Sequence, residues 1–476
     1  MKLSTLTVLS DEEVRQIHAA SLHILAHSGV KVMNAAMLAF LRDAGLDVDF
    51  ERQLVRFSAA CVEDAVSRVP GRIDIFARDG QPAFTLGDGS AKIAAGHNAV
   101  FWLDAESGET RPSRVADVER FAHLCEQLPA IDMIGIPVMP QDVPHPRATL
   151  LHGVRAVITH SRKPVYFSTD RCDVNHACIE LLRAAFPGDM TARPYGISQL
   201  SPTSPLYWEG EVIEALRDTV AHGVPLAILP EPNAGVSAPY TLAGLLTVNN
   251  VECLSGIVIA QLLRPGAPVL YANSWTTTDM RSGAALVGST ETSICRIAGA
   301  QLARFYHVPS HTTAPNSDNH AHDEQNAWEK TFSLFAAVAA GNDLIVNCGM
   351  FATGMTCSHE QLLMDEEIAA MSRRLAAGVT VTEETIAREL IETVGPQGES
   401  YLTQEHTLDH LHHDEFLLPR LARRGPRAVW EQDGAPDSYA IAHREVARLA
   451  ANPVAGVSAD IEAALAQVIE GYLSHN

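Results

Sequence analysis

The sequence is short of basic residues. Its 476 residues include 35 lysines and arginines but 57 aspartates and glutamates, which gives a formal net charge of −22 at pH 7. A surface this acidic repels nucleic acid and anionic membranes, so we expect no nucleic-acid partner and no membrane partner. A cationic small molecule suits the average charge of the chain better.

Signals for export, membrane insertion and disulfide bonding are also lacking. None of the eight cysteines forms a CxxC pair, and they are spread among apolar neighbours, as reduced and buried thiols are. The N-terminus, MKLSTLTVLSDEEVRQ, does not have the pattern of a signal peptide. The longest apolar candidate, 253–263, is too short to cross a membrane. We therefore expect a cytoplasmic protein.

Several common catalytic motifs are missing as well. No GxGxxG follows an early strand, which argues against a Rossmann fold. There is no P-loop and no serine nucleophile elbow. Cys348 and Cys357 have no evident base beside them, so a cysteine nucleophile is not expected.

A regular alternation of helices and short apolar strands occupies the middle of the chain. The predicted strands are 133–139, 164–168, 195–200, 225–229, 268–273, 309–313 and 343–347. Apolar strands separated by helices need both faces covered, so the sheet is parallel. The count and rhythm favour a (β/α)8 TIM-type barrel over a doubly wound sheet, with an eighth strand predicted at 355–358.

The remaining segments flank this barrel. Residues 1–115 are predicted to form an N-terminal α+β arm and a β-rich layer, because helical and strand patterns mix there with many turn glycines. Residues 116–362 form the predicted barrel, and residues 363–476 form a C-terminal helical region.

Polar side chains follow most of the predicted strands. The densest group is NSDNHAHDEQNAWEK at 316–330. Barrels place their chemistry just beyond the strand ends, although a surface loop would also carry such side chains. Aromatic residues gather near the same ends, and aromatic faces with nearby carboxylates suit an alkylammonium ion. The alternative is that most of these aromatic residues belong to the barrel core.

A histidine pair in the same loop suggests a metal site as an alternative. In an extended loop, His320 and His322 face one side and could share a metal, with His97 or Asp318 as a third ligand. Pairs of this spacing are common without a metal, and neither HExxH nor CxxC accompanies this one. No tightly bound metal is therefore expected.

Several blocks along the chain resemble the trimethylamine methyltransferase family, which includes non-pyrrolysine glycine betaine:corrinoid methyltransferases. These blocks are IHAASLHILAHSGVKV from residue 17, WLDAESGETRPSRVADVERFAHLCEQLP from residue 102, APYTLAGLLTVNNVECLSGIVIAQLLRPGAPVLYANSW from residue 238, GSTETSICRIAGAQLARFYHVPS from residue 288, SDNHAHDEQNAWEK from residue 317, SHEQLLMDEEI from residue 358 and YLTQEHTLDH from residue 401. Together they span nearly the whole chain.

The resemblance implies a (β/α)8 barrel that moves a methyl group from a methylated amine to the Co(I) of a corrinoid. The corrinoid is supplied by a separate corrinoid protein, which is the implied partner. A quaternary ammonium substrate leaves as a neutral tertiary amine, so neither a proton nor a metal has to help it leave. The enzyme has to desolvate the cation and aim one methyl group.

The resemblance also bears on the substrate. Some family members carry pyrrolysine in a segment that aligns with SDNHAHD, where this chain has ordinary residues. This favours a quaternary amine similar to glycine betaine over trimethylamine. Similar proteins often read GWLEGG where this chain reads GMFATG at 349–354, so Ala352 replaces an acidic residue. Just before this segment, Asn347 stands where similar proteins have a histidine. A pocket different from that of the glycine betaine enzymes is expected.

Strand-end position then gives a set of candidate site residues. The expected catalytic residues are His320, Asp318 and Glu231. The expected substrate-binding residues are Tyr195, Trp275, Phe351, Asn347 and Gln199. The carboxylates would offset the ammonium charge, the aromatic rings would supply faces, and His320 and Asn347 would orient a polar tail.

Two other functions stay open at this point. One is a metal-dependent TIM-barrel hydrolase or lyase using His320, His322 and Asp323. The other is a non-enzymatic binding protein for methylated amines. The acidic surface and the C-terminal helices are compatible with a homo-oligomer.

Overall fold

The computed structural model describes residues 6–398, 400–411 and 415–475. The chain starts with an α+β arm. Its elements are α1 (Asp11–His27), β1 (Val30–Val32), α2 (Ala35–Asp43), β2 (Asp47–Asp49), β3 (Leu54–Arg56) and α3 (Ala59–Arg68). α1 begins at a capping box, in which the Ser10 N–H donates to the Glu13 carboxylate at 2.7 Å and the Glu13 N–H donates to the Ser10 hydroxyl at 3.3 Å.

Short strands follow the arm. They are β4 (Ile73–Phe76), β5 (Pro82–Leu86), β6 (Lys92–Ala95), β7 (Phe101–Leu103) and β8 (Thr110–Pro112). The β4–β5 hairpin supplies Ile73, Ile75 and Leu86 to the apolar cluster inside the barrel. It therefore closes the end of the barrel opposite to the strand ends that carry polar groups.

The central region alternates helices and strands as predicted. Its elements are α4 (Val115–Glu126), β9 (Met133–Gly135), α5 (Thr149–His160), β10 (Val165–Ser168), α6 (Cys172–Ala185), β11 (Gly196–Leu200), β12 (Tyr207–Trp208), α7 (Gly210–Ala221), β13 (Leu226–Ile228), α8 (Leu242–Leu263), β14 (Val269–Asn273), β15 (Thr277–Thr278), β16 (Ala285–Leu286), α9 (Thr290–Tyr306), β17 (Ser310–Thr313), α10 (Glu324–Ala339), β18 (Leu344–Cys348), β19 (Met350–Phe351) and β20 (Thr356–Cys357).

Helices dominate the C-terminal part. They are α11 (His359–Ala377), α12 (Glu383–Ile386), α13 (Arg388–Val394), α14 (Glu405–His410), α15 (Arg427–Gln432), α16 (Ser438–Ala450) and α17 (Ala459–His475). α16 packs on α11, and α17 packs on α5 and α6. The long C-terminal helices thus cover the outside of the barrel.

Eight parallel strands form a closed barrel, which confirms the predicted fold. Their order is β10-β11-β13-β14-β17-β18-β6-β9. Each strand pairs with its neighbours in parallel register, for example Ile345 with Ile93 and Ala227 with Leu270. Small and branched apolar side chains fill the interior, and the helices cover the outside.

The prediction for the eighth strand is wrong. The strand that closes the barrel is β6, whereas residues 356–357 form β20 in a separate small sheet with β7. The predicted boundary at residue 116 therefore falls inside the barrel, which starts at residue 92. The β7–β8 hairpin lies between β6 and the helix that leads to β9, and it hides the strand–helix rhythm in the sequence.

Among the described residues, one helix, α8, is long and apolar enough to cross a membrane by length and composition. Of the 18-residue stretch of α8 that meets this test, 72% is buried in the structure. α1 and α3 of the arm pack on its outer side, and β13 and β14 of the barrel pack on its inner side. Because both sides are covered by protein, α8 is apolar all around, as a core helix is.

A fully buried ion pair joins α10 to α11. The Lys330 ammonium donates to the Asp365 carboxylate at 2.7 Å, and neither side chain is exposed. The same carboxylate accepts the Gly349 N–H at 2.6 Å and the Gln361 amide at 2.8 Å. The Lys330 ammonium also donates to the Pro315 carbonyl at 3.4 Å. The pair thus ties both helices to the segments that follow β17 and β18.

Breaking this pair is expected to cost much stability. The Lys330→Met substitution leaves Asp365 buried without its cation, so we expect the free energy of unfolding to fall by about 3–5 kcal/mol. Urea unfolding followed by tryptophan fluorescence measures the change. The exposed Arg427–Glu431 pair is the control, and Glu431→Gln is expected to change stability by less than about 1 kcal/mol. Equal effects of the two substitutions would contradict the structural role of the buried pair.

Candidate functional site

A cavity of about 820 Å³ opens at the carboxyl ends of the barrel strands. Residues at or just beyond the ends of all eight strands line it, and the exposed residues Arg147, Asp170 and Arg171 stand at its rim. Hydroxyl and amide side chains make up much of the wall. These include Ser168, Gln199, Ser201, Asn233, Ser274, Thr313, Asn316 and Asn347.

His97 enters the cavity from the turn after β6. Gly96, with φ of +83°, makes this turn, and a Cβ there would lie 2.7 Å from the Pro137 Cα. The imidazole Nδ1 lies 3.1 Å from the Asn347 side-chain oxygen, so Nδ1 carries the proton and donates. Burial lowers the pKa of His97, and hydrogen bonds to Asn347 and Gln199 oppose this only in part. His97 is therefore a neutral group in the wall.

A β-bulge aims Asn347 into the cavity. The register between β18 and β6 shifts between Val346 and Cys348, which leaves Asn347 as the extra residue. Its φ is +129°, a region that favours glycine, so the surrounding structure holds it under strain. The amide nitrogen of Asn347 donates to the Asn316 side-chain oxygen at 2.8 Å. Bulges of this kind re-aim side chains next to functional sites.

An uncharged polar layer lies beneath the cavity. The Tyr166 hydroxyl is 2.6 Å from the Gln199 oxygen and 2.9 Å from the His311 Nε2. Both contacts are hydrogen bonds when the Tyr166 hydroxyl donates its proton to the Gln199 oxygen and the protonated Nε2 of His311 donates to the Tyr166 oxygen. His311 Nδ1 is then an unprotonated acceptor, and it has no partner within the described part of the chain. Burial lowers the pKa of His311 to about 3, so the layer stays neutral.

Glu231 supplies a negative charge in these surroundings. It follows β13, and its side chain is accessible to solvent in the cavity while the barrel encloses it. This enclosure raises the pKa of Glu231 to about 7, and no hydrogen bond or cation from residues 6–398, 400–411 or 415–475 offsets it. Glu231 also raises the pKa of Tyr166, after the larger effect of burial. The cavity therefore holds a carboxylate without a counter-ion of its own.

Asp318 braces the wall of the cavity. Its carboxylate accepts the Val287 N–H and the Gly288 N–H, each at 2.9 Å, and the Thr353 hydroxyl at 3.1 Å. Val287 and Thr353 line the cavity, whereas Asp318 lies behind them. Asp318 thus fixes the root of the β15–β16 hairpin, and its charge is taken up by these donors.

The three predicted aromatic faces lie outside the cavity, and the expectation that they line it is wrong. Tyr195 precedes β11 at the opposite end of the barrel and stacks on Phe186. Trp275 is buried beside Gly299 of α9. Phe351 is buried with its ring edge-to-face against His322. All three rings are buried in the packing of the protein interior, and the described cavity wall contains no Phe, Tyr or Trp.

The predicted histidine pair does not form a shared site either. His320 is exposed on the loop. His322 Nε2 lies 3.2 Å from the Ser358 hydroxyl, and its ring packs on Tyr439. Asp323 caps α10 by accepting the Gln325 N–H at 2.9 Å. Because these groups have different partners, the metal-dependent hydrolase or lyase is not supported by the geometry.

Strand-end position located part of the cavity wall and missed the rest. Glu231, Gln199 and Asn347 line the cavity, whereas His97, which also lines it, was considered only as a possible metal ligand, and Asn316 only as the first residue of the polar stretch 316–330. His97 follows β6 as the polar residues follow the other strands. The pattern KIAAGHN at 92–98 carries this signal, since a short apolar strand ends there at glycine, histidine and asparagine.

The arrangement suits a small cation. It offers the Glu231 carboxylate among neutral imidazole, amide and hydroxyl groups, apolar patches such as Met139, Val212 and Met350, and charges of both signs at the rim. No cysteine and no lysine from the described residues lines the cavity.

Comparison with known proteins identifies relatives over nearly the full length. A family model described as trimethylamine methyltransferase matches residues 1–471. A trimethylamine methyltransferase of Desulfitobacterium hafniense is 30% identical over 445 residues, which cover 93% of this chain and 89% of that protein. A glycine betaine methyltransferase from another strain of that species is 30% identical over 430 residues, which cover 90% and 88%.

A solved structure supports the fold. The crystal structure of the monomethylamine methyltransferase of Methanosarcina barkeri superposes with a TM-score of 0.54 at 12% sequence identity. The match covers 94% of this chain and 90% of that one. At this identity the likeness concerns the fold alone.

The neutral His311 makes stability depend on pH. Its pKa is about 3 in the folded protein and about 6.5 in the unfolded chain, so the unfolded state binds more protons between these values. Above pH 6.5, His311 is neutral in both states and does not lower the free energy of unfolding. Between pH 6.5 and pH 3, the free energy of unfolding falls by about 1.4 kcal/mol for each unit that the pH decreases.

The His311→Gln substitution tests this, because its amide can still donate to Tyr166 but does not titrate. Urea unfolding between pH 7.5 and pH 5 is expected to give a shallower pH slope for the variant than for the wild type. His23→Gln, on the surface of α1, is the matched control. Identical slopes for wild type and His311→Gln would overturn the assignment.

Proposed function

The chain belongs to the trimethylamine methyltransferase family, and from this membership we propose that it moves a methyl group from a quaternary or other methylated amine, similar to glycine betaine, to the Co(I) of a corrinoid. The corrinoid is carried by a separate corrinoid protein and acts as the methyl acceptor. The proposed setting is cytoplasmic.

The observation that carries this proposal is the uncompensated carboxylate of Glu231. A quaternary ammonium ion keeps its positive charge at every pH and has no N–H to donate, so it needs a charge rather than a hydrogen-bond acceptor. Glu231 offers that charge inside a cavity that the barrel surrounds and that opens at the strand ends, where electrostatic attraction is stronger than in bulk water. The absence of a competing cation next to it among the described residues leaves this charge for the substrate.

The chemistry of the leaving group agrees with the neutral wall. When the methyl carbon is transferred, the electrons of its C–N bond stay on nitrogen, and the product is an uncharged tertiary amine. No proton has to be delivered to it, and His97 and His311 both have lowered pKa values. The Co(I) corrinoid supplies the electron pair for the new bond to the methyl carbon. The residues of this chain bind the cation, orient it and limit access of water.

The outer part of the cavity suits a polar tail. Amide and hydroxyl groups at the strand ends, such as Asn316, Asn347 and Ser168, can hydrogen-bond a carboxylate or hydroxyl. Arg147, Asp170 and Arg171 stand at the rim, and Arg171 is paired with Asp173 at 2.7 Å, so a tail meets charges of both signs there. A molecule with an ammonium head at Glu231 and a polar tail toward the rim therefore fits better than trimethylamine. His320 and Asp318 have no direct contact role in this proposal.

A methyl-transfer assay tests the proposed function. The enzyme is mixed with its corrinoid protein, or with Co(I) cobalamin, and with glycine betaine, carnitine, choline or trimethylamine, and the cobalt spectrum is followed. We expect methylcobalt formation with a zwitterionic quaternary amine. The Glu231→Gln variant is expected to bind that substrate at least about tenfold more weakly, because the charge is lost while the shape is kept.

The Tyr195→Phe variant is the matched control, since the structure places this ring at the far end of the barrel. Wild-type binding by Glu231→Gln, or equal losses in both variants, would remove Glu231 from the site. A failure of every substrate in the panel, with a competent corrinoid protein, would contradict methyl transfer itself.

The raised pKa of Glu231 predicts how substrate affinity changes with pH. In the free enzyme this pKa is about 7, and a bound cation lowers it by stabilising the carboxylate. Affinity is therefore expected to increase as the pH rises through 7 and to level off above it. Below 7 it falls by up to about tenfold per pH unit until the pKa of the complex is reached.

Calorimetric titration of glycine betaine between pH 6 and pH 9, without a methyl acceptor, measures this dependence. Its carboxylate and ammonium charges do not change over that range. The Glu231→Gln variant is expected to give a flat profile. A pH-independent affinity in the wild type would mean that Glu231 does not bind the ammonium group.

A further inference from the structure

A second group of ligating side chains lies on the outer surface of the barrel, between α6 and α7. His176 comes from α6, Asp218 comes from the last turn of α7, and His222 is the residue directly after α7. One ligand atom of each lies within 4.8 Å of the other two. Among the residues that the structure describes, this is the single group of three with such spacing. It is separate from the cavity and from the proposed methyl transfer.

The side chains of this group converge on one carboxylate oxygen. Asp218 Oδ1 lies 3.1 Å from His176 Nδ1 and 3.1 Å from His222 Nδ1, and His222 Nδ1 also lies 2.8 Å from the Asp218 backbone carbonyl. The two imidazole centroids are 5.3 Å apart. Asp218 and His222 are one helical turn apart, so they share a face of α7 that points to α6.

A buried neighbour orients the carboxylate. The amide nitrogen of Asn175, which is fully buried, donates to the other oxygen of Asp218 at 3.2 Å. This contact turns Oδ1 toward the two imidazoles. Hydrogen bonds from outside the ligand set are the usual way in which proteins fix metal ligands.

The electrostatic surroundings favour a cation. Within residues 6–398, 400–411 and 415–475, Asp218 pairs with the two histidines and with no lysine or arginine. Burial raises the pKa of the nearby Cys172 thiol, and the charges of Asp218, Glu214 and Glu211 raise it further. The group also lies at the C-terminal end of α7, where the helix dipole is negative.

We propose that His176, Asp218 and His222 bind a divalent transition metal of the zinc type. Two imidazoles and one carboxylate are a typical ligand set for zinc, and a water molecule from solvent completes a tetrahedron. Imidazole nitrogen disfavours calcium and magnesium, which prefer oxygen ligands. His176 is exposed and the other two are half-buried, so a metal ion reaches them from solution.

Binding there clamps α6 to α7. The first turns of these helices contribute Val174 and Val212 to the cavity wall, and the strands before them carry Ser168 and Gln199. A metal at this position therefore stiffens one side of the cavity without touching a bound substrate.

Cobalt(II) binding to the intact protein tests the site. The untagged protein is stripped with a chelator and titrated with Co(II), whose visible absorption reports tetrahedral coordination, and zinc is then added as competitor. We expect one Co(II) per chain, displacement by zinc, and a higher melting temperature with zinc. Asp218→Asn and His176→Gln are each expected to weaken binding at least about tenfold and to remove the zinc-dependent rise in melting temperature.

The double variant His23→Gln/His27→Gln is the matched control. His23 and His27 stack at 4.1 Å on the surface of α1 and form a histidine pair outside the proposed site. This variant is expected to bind Co(II) as the wild type does. Binding that is equal in wild type, Asp218→Asn and His176→Gln would mean adventitious surface binding only. Loss of binding in the double variant alone would also refute the site.

Discussion

The charge pair between Lys330 and Asp365 is the constraint on which the cavity wall depends. Both side chains lie where water cannot solvate them, so each is stable only while the other stays in place. The carboxylate also holds the Gly349 N–H, directly after the strand that carries Asn347. Two helices and two strand ends are thereby fixed to one point, which allows a strained residue such as Asn347 to keep its conformation.

The cavity separates neutral from charged groups by their degree of enclosure and by their hydrogen bonds. The partly buried imidazole of His97 and the fully buried imidazole of His311 stay neutral, and their hydrogen bonds to Asn347 and to Tyr166 are arranged for that state. Asp318 has its charge satisfied by backbone donors behind the wall. Glu231 lacks such donors, so a bound cation stabilises its ionised carboxylate. Within the cavity, Glu231 is thus the carboxylate that gains most from a bound cation.

The barrel could be predicted from the sequence because buried parallel strands and their covering helices leave a strong repeating pattern. β6 was not predicted as a barrel strand because two of its four residues are alanine and the β7–β8 hairpin separates it from α4. Glu231 and Gln199 could be found because polar residues at strand ends have few other reasons to be there. The aromatic residues were wrongly predicted to line the cavity because their rings are buried in the packing around the barrel. The direction of such a side chain depends on tertiary contacts that the sequence does not show, as at Trp275. The bulge at Asn347 is likewise invisible without its partner strand.

The pairing of β6 with β18 has a consequence for biosynthesis. The strand that closes the ring is the earliest of the eight to leave the ribosome, and its partner Leu344–Cys348 is the last. Until that partner emerges, one edge of the growing sheet has no neighbour, and an open edge recruits other chains. Loop closure over so many residues is slow, so the nascent barrel is exposed to misassembly for most of its translation. β6 is only four residues long and consists of a lysine, an isoleucine and two alanines, so this unpaired edge is short and weakly apolar, which limits pairing with other chains.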